Sequence, residues 1–540
     1  MPHHPFIAAL PLILGLAVAT PAPAQTSDPP SVEQLQASMA QGRLTSEALT
    51  RRSLEQIRRR DRGSRGLHSV LEANPDALAI ARALDRERKA GRVRGPLHGI
   101  PVLVKDNIDT ADRMMTTAGS LALVGPPAGE DAFVVRRLRE AGAVLLAKTN
   151  LSEWANIRSS KSSSGWSARG GQTVNPYGSG RNPCGSSSGT GSAIAAGFAP
   201  AGLGTETDGS IMCPSSVAGL VGIKPTVGLV SRAGIVPISH SQDTAGPMAR
   251  NVADAAAVLT AIAGMDPNDS ATAAAQGHIA ADYRVFLKAD GLKGSRIGVA
   301  RKKVTGYSAA TDRLFEQAIA DLKRLGAEIV DPADFGSLGD YDDQELEVLL
   351  YELKDDLDRY LSRRAGLPVK TLADVIAFNE RHAAQELPFF GQDLFIKAQA
   401  KGPLTEGAYL DAASKARTLA REGIDKTLSG SGLDAIIAPT GSPAWLTDHV
   451  NGDAFQGSSS SPAAVAGYPS ITVPMGQVQG LPVGLSFVGA AWSEGRLLQL
   501  AYAYEQGTRH RRPPNGAAAT ARAPRTAPAQ PSPPNTARRR

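Results

Sequence analysis

IPVLVKDN, residues 100–107, reads as a short apolar strand, Ile100 to Val104, running into a lysine. A helix is expected over 130–141, where DAFVVRRLREAG (131–142) spaces its apolar residues helically and stops on Gly142. AVLLAK, residues 143–148, is a second apolar run that also ends on a lysine. Neither run alternates apolar with polar residues, so both strands are expected to be covered on both faces. Strand, helix, strand with glycine and proline punctuation implies an α/β chain.

The same reading extends outward. Residues 31–62 and 72–90 read as amphipathic helices, with Ser31 and Asn74 as starts and Gly63 and Gly91 as stops. An Ala-rich helix is expected over 251–264, a strand over 295–300 and a helix over 310–325. Residues 343–425 are charged and largely helical in pattern, which suits a covering layer. DAIIAPT (434–440), YPSITVPMG (468–476) and LPVGLSFVG (481–489) return to strands, and a helix follows over 496–506. The chain has 540 residues, more than one core usually organises, so two modules or one large α/β domain are expected.

The net charge of +6 comes from 58 Lys plus Arg against 52 Asp plus Glu. Residues 511–540 carry seven arginines and no acid, while 1–24 carry no charged side chain but His. The remainder is close to neutral, so no concentrated basic face for nucleic acid is expected. The Pro/Ala/Arg tail at 511–540 has too little apolar surface to order itself and is expected to be disordered. MPHHPFIAALPLILGLAVATPAPAQ, residues 1–25, resembles an export signal ending at 24: an apolar run from Phe6 to Val18, then Pro21, Ala22 and Ala24. That run is shorter than the roughly 20 residues a span needs, so no membrane span is expected, and the periplasm or the exterior is the expected location. With two cysteines, Cys184 and Cys213, a disulfide scaffold and a four-thiolate zinc site are excluded, and a single bridge stays open. The histidines are scattered and no H-E-x-x-H occurs, so neither metal nor cofactor is expected.

Three pieces carry chemistry. Lys105 ends the first strand; beside a desolvated core its amine can lose its proton and act as a base. CGSSSGTG, residues 184–191, feeds a helical run but lacks the lysine of a phosphate loop and the acidic partner of a dinucleotide fold. GTETDGSIMCPSS, residues 204–216, sets Ser210 after Gly209 in a tight turn flanked by N–H groups. There is no G-x-S-x-G elbow and no Ser-His-Asp order, so a serine here would need a lysine base.

On VKDN (104–107), GSSSG (185–189), GTETDGSI (204–211) and GLPVGLSFVG (480–489), the chain resembles the amidase signature family, over roughly 95–250 and 434–506. The resemblance implies a single compact α/β/α fold, a large mixed sheet covered by helices, spanning 25–510 with a helical insertion at about 343–425. It also implies a base at Lys105, a bridging serine at Ser186 on a cis peptide bond, and a nucleophile at Ser210. The oxyanion hole maps to the amides of Thr207, Asp208, Gly209 and Ser210. Ser187, Asp106, Asn107, Thr117 and Asp243 are candidate supports. Glu206 and Asp208 depart from the commoner family pattern, as does Cys184 before the serines. With WSARGGQTVNP and GLVSRAGIVPISHSQDTAGPM, these resemble the bacterial peptide amidase branch, whose members remove the C-terminal amide of peptides and spare internal bonds. Hydrolysis of peptide amides by a monomer is therefore expected. The alternatives are an amidase for small aliphatic or aryl amides and a periplasmic peptide-binding protein. The glutaminase component of a tRNA-dependent amidotransferase is disfavoured by the export segment.

Overall fold

The computed structural model describes residues 28–514; the expected export segment and the tail from 515 onward lie outside them. The strands are β1 (Val70–Ala73), β2 (Pro101–Lys105), β3 (Val144–Thr149), β4 (Trp166–Ser167), β5 (Gly171–Gln172), β6 (Ala201–Glu206) and β7 (Val221–Lys224). They continue with β8 (Thr244–Ala249), β9 (Arg296–Val299), β10 (Glu328–Val330), β11 (Ala435–Pro439), β12 (Ser470–Val478) and β13 (Leu481–Val488). Apart from the short β4–β5 hairpin, they form one 11-stranded sheet in the order β1-β3-β2-β6-β8-β7-β12-β13-β11-β9-β10. β2 runs parallel to β3 and β6, while the centre from β6 to β11 pairs antiparallel, so the sheet is mixed.

Side chains alternate across a strand, and β2 shows what each face meets. Val102 and Val104 enter a core shared with the helices Phe133–Glu140, Val252–Ile262, Ala309–Arg324 and Glu494–Thr508. Leu103 points the other way, among Ala193, Ile194 and Phe198 of the helix Ser188–Ala195 and its C-terminal turn. Lys105 lies two residues beyond Leu103, so it emerges toward the start of that helix. The result is the single α/β/α domain that the motifs imply. A layer of helices, from Asp342–Arg363 to Gly407–Ser431, covers one end, and its Leu350, Leu353, Leu357 and Leu361 pack on Ala118, Ala122 and Trp154.

Several boundaries differ from expectation. The helix expected over 31–62 is two, Val32–Ala40 and Ser46–Arg60, broken at Gly42, whose φ of 68° no right-handed helix accommodates. Ser31 does cap the first, with Gln34 completing a reciprocal capping box. Residues 72–90 begin in β1, and the helix starts only after Asp76. Asn74 serves both elements: at the helix entry its Oδ1 accepts the Asp76 N–H at 2.9 Å and its carbonyl the Ala77 N–H at 3.2 Å, while its side-chain amide donates to the Leu145 carbonyl at 2.8 Å and its N–H to Leu146 at 2.9 Å. Arg511 and Arg512, counted with the tail from sequence, are held on the body. Arg511 pairs with Asp28 at 2.9 Å, and Tyr177 donates its hydroxyl to the Arg512 carbonyl at 2.6 Å. Among the described residues no helix is long and apolar enough to cross a membrane.

Gly189, in the first turn of the helix behind Lys105, has no room for a side chain. A Cβ there would stand 2.3 Å from the Ser69 carbonyl oxygen and 2.4 Å from that of Asn150. Gly189→Ala therefore forces backbone apart and is expected to cost about 3 kcal/mol or more, read as a lowered thermal midpoint.

Candidate active site

Lys105 is fully buried at the C-terminal end of β2, where the sheet's two covering layers leave no water around its amine. Its Nζ lies 2.7 Å from Ser186 Oγ, 2.8 Å from Thr205 Oγ1 and 3.2 Å from the Thr205 carbonyl oxygen. Burial pushes the ammonium down to about 7, against a smaller opposing pull from Asp243 and Glu206. The neutral amine has two N–H bonds and one lone pair. With Thr205 taking both N–H groups, the lone pair is left for the Ser186 hydroxyl. Asn107 donates to the same Thr205 hydroxyl at 2.9 Å, which fixes that acceptor in place.

Ser186 sits on a cis peptide bond after Gly185. The carbonyl of Ser186 accepts from the Ser152 N–H at 3.0 Å, and the N–H of Ser187 donates to the Ser210 carbonyl at 3.1 Å. The second bond ties the bridging segment directly to the nucleophile turn. Ser187 begins the helix, yet its hydroxyl does not cap it; the hydroxyl donates to the Thr205 carbonyl at 3.1 Å and so braces β6. Ser188 donates to the Cys184 carbonyl at 2.6 Å.

Cys184 and Cys213 are joined by a disulfide with Cα atoms 6.0 Å apart. This settles the question their spacing left open. The bridge links a residue two before Ser186 to one three after Ser210, so it clamps the two serine segments together.

The turn Thr207–Ser210 connects β6 to the helix Met212–Val217. Gly209 holds φ at 74°, the left-handed region that glycine tolerates at no steric cost. The Glu206 carboxylate accepts the N–H groups of Ile211 at 2.6 Å and Met212 at 2.9 Å, capping that helix from within. No acceptor among the described residues takes the N–H groups of Thr207, Asp208, Gly209 or Ser210. Four N–H groups in one turn are thus left free to donate. The Ser210 hydroxyl likewise makes no hydrogen bond to a described residue, so the structure brings Lys105 onto Ser186 but leaves the second link unclosed.

The expected supports divide. Asn107 acts on Thr205, and Asp243 accepts the Thr207 hydroxyl at 2.6 Å while burial raises its carboxyl to about 6. Asp106 and Thr117 bond to each other and, with Gly119 and Arg169, secure the neighbouring turn; neither reaches the serines. Trp166 is core, packed edge-on against Phe389 and Phe390. Sequence reasoning missed Thr205 and Gln242. Thr205 is a polar residue two beyond Leu203, after the apolar run Ala201–Gly204 of the strand, which was its one signal. One cluster has metal-ligating spacing, His240 with Glu352 and Asp356. Its carboxylates already accept the Ser239, Ser241 and Tyr409 hydroxyls and the His240 N–H, which fastens the covering helix to the loop before β8.

The Lys105 amine can accept a proton only when neutral, so an activity that uses it is expected to rise with pH through about 7 and, below it, to fall about tenfold per unit in kcat/KM. Serine in place of both Cys184 and Cys213 opens a clamp of sequence separation 29 and is expected to cost roughly 3–4 kcal/mol, read by denaturant titration.

The family model described as Amidase matches residues 48–498. Native peptide amidase from Stenotrophomonas maltophilia is 55% identical with a TM-score of 0.86, over 90% of this chain and 98% of its own. A probable amidase of Arabidopsis thaliana is 43% identical, over 90% of this chain and 91% of the relative. A glutamyl-tRNA(Gln) amidotransferase component from Myxococcus xanthus is 36% identical, over 88% of this chain and 96% of the relative.

Proposed function

The chain belongs to the amidase family, and from that premise we propose that it hydrolyses the C-terminal amide of peptides to the free acid and ammonia. The observation that carries the chemistry is the 2.7 Å contact between a buried Lys105 amine and Ser186, on a segment tied to the Ser210 turn. The choice of peptide amides over small amides is supported by the likeness to the Stenotrophomonas peptide amidase.

Neutral Lys105 takes the Ser186 proton as Ser186 takes that of Ser210, and the Ser210 oxygen attacks the amide carbon. The Ser210 hydroxyl closes the remaining link by rotating toward Ser186 as substrate enters; such contacts commonly tighten only in the complex. The N–H groups of residues 207–210 receive the oxyanion, an interaction whose loss at one donor costs about 3–4 kcal/mol. The proton held by Lys105 returns through Ser186 to the departing nitrogen, ammonia leaves, and water attacks the acyl-enzyme along the same relay.

The protein's location is part of this reading. A buried disulfide is at home in an oxidising compartment, which supports export to the periplasm or beyond, directed by residues 1–24.

Ammonia release from a short peptide amide tests the reaction, alongside a simple aliphatic amide. Ser210→Ala and Lys105→Ala are each expected to lose at least about a thousandfold in kcat, and the double variant little more, because the residues act as one unit. Faster turnover of the simple amide would overturn the peptide reading, and full activity in Ser210→Ala would overturn the mechanism.

A further inference from the structure

A cavity of about 740 Å³ opens between the stretch from Pro126 to Arg136, the loop from Arg232 to Asp243, and the end of the covering helix from Asp356 to Gly366. It adjoins the candidate active site, because Asp243 is on its wall and accepts the Thr207 hydroxyl at 2.6 Å. Lys105, Ser186 and Ser210 do not line it, so it is a space apart from the relay. Its volume falls in the range of pockets that hold a small organic molecule, roughly 300–1,000 Å³. Phe133 and Ile235 give it apolar wall.

Most of the acids on that wall are already engaged. Asp269 takes the Arg232 guanidinium through two bonds, at 2.6 Å and 2.8 Å. Asp356 holds His240 at 2.8 Å, Asp131 holds Arg139 at 2.9 Å, and Asp266 accepts the Ser231 hydroxyl at 2.6 Å. The charges left over are cationic on balance. Arg136 and Arg363 are exposed and form no ion pair with a described residue, against a single uncommitted acid, the exposed Glu130. The Arg136 guanidinium lies 5.2 Å over the Phe133 ring, so cation and apolar wall stand side by side.

A buried group makes an independent observation. Arg364, also on the wall of this cavity, is 7% exposed. Its Nη1 donates to Asp109 at 3.0 Å and to the Tyr360 hydroxyl, whereas its Nη2 has no hydrogen-bond partner among the described residues. A buried charged donor without an acceptor is costly. An oxyanion supplies what a guanidinium lacks, since a carboxylate offers several acceptor sites and binds such donors strongly. A guanidinium and a carboxylate both keep their charge at neutral pH, so the match holds under ordinary conditions.

We propose that this cavity is a binding site for an organic carboxylate, whose charge answers Arg136, Arg363 and the unpartnered Nη2 of Arg364 and whose body lies along Phe133 and Ile235. Two sources share that chemistry. One is the peptide acid that the amidase reaction releases, a source that rests on the peptide amide reading. The other is an organic acid unrelated to the reaction.

Calorimetric titration into the full chain carrying Ser210→Ala tests this without turnover. N-acetyl-Gly-Phe is compared with N-acetyl-glycine phenethylamide, which lacks its carboxylate, and 3-phenylpropionate with 3-phenylpropanol. At least one acid is expected to bind about tenfold more tightly than its neutral mate, and the pair that responds identifies the source. Adding Arg136→Gln and Arg363→Gln together is expected to bring that ratio close to one with the thermal midpoint unchanged, because both side chains are exposed. Arg364→Lys, which can still face Asp109, is expected to lower the same ratio. Ratios near one for both pairs would overturn the site. So would a preference for the acid that survives Arg136→Gln/Arg363→Gln, since the carboxylate would then be held elsewhere, as at the oxyanion turn. Ammonia release from a peptide amide by the chain with Ser210 intact is measured separately, so the cavity and the amidase reading can fail independently.

Discussion

The constraint on which the molecule rests is the removal of water from one amine. A lysine at an ordinary strand end keeps its ammonium in solvent and is useless as a base at neutral pH. Lys105 stands on a strand with no exposed face, and desolvation brings it down to about 7 against the opposing pull of Asp243 and Glu206. That requires a sheet covered on both sides at the point where β2 ends. The breadth of the 11-stranded sheet provides it, since β2 lies well inside the edges, between β3 and β6.

The buried amine would be a liability without partners, and its partners all come from adjacent pieces of chain. β6, parallel to β2, supplies both acceptors of Thr205. The helix behind β2 begins with the serine run, and its close seat at Gly189 brings Ser186 within reach of the amine. The nucleophile side is then stiffened by three unrelated devices. A covalent bridge reaches it from Cys184, an internal carboxylate caps the helix after it, and a left-handed glycine makes the turn. Each acts on the backbone. That suits a site whose oxyanion donors are peptide groups rather than side chains.

Much of this was legible before any coordinates. Apolar runs at 100–104 and 144–148 meant buried strands, the first of them ending on Lys105. The motif residues then followed from family likeness. What stayed hidden was non-local. Asn74 has the look of a helix cap, and it also bonds to β3; Arg511 has the look of tail and is claimed by Asp28, across nearly the whole chain. Thr205, the residue that aims the base, gave almost no signal, since a lone threonine in a strand usually means nothing. Glu206 and Asp208 looked like departures from a pattern. The first proves to be a helix cap, and the second shares its two serine partners with no motif at all. Position in the motif announced both residues, but only packing assigned them work.

A division of labour follows from where these contacts lie. Lys105 lies on the central sheet, while Ser186 and Ser210 lie on the segments that lead into the helices Ser188–Ala195 and Met212–Val217, and all three side chains are buried. The covering layer touches that machinery through a few polar tethers: Gln242 between Glu345 and the Thr207 carbonyl, and Glu352 and Asp356 on the loop of Ser239 to Ser241. Tethers of this kind fix the covering helix in place without committing its other side chains. The side chains of Asp342–Arg363 outside these tethers can therefore vary while Lys105 keeps its contacts with Ser186 and Thr205. A buried proton relay tolerates little drift, because each donor removed strands its acceptor. A partly exposed carboxylate such as Glu345 is under no such restraint, so the covering layer can vary where the relay cannot.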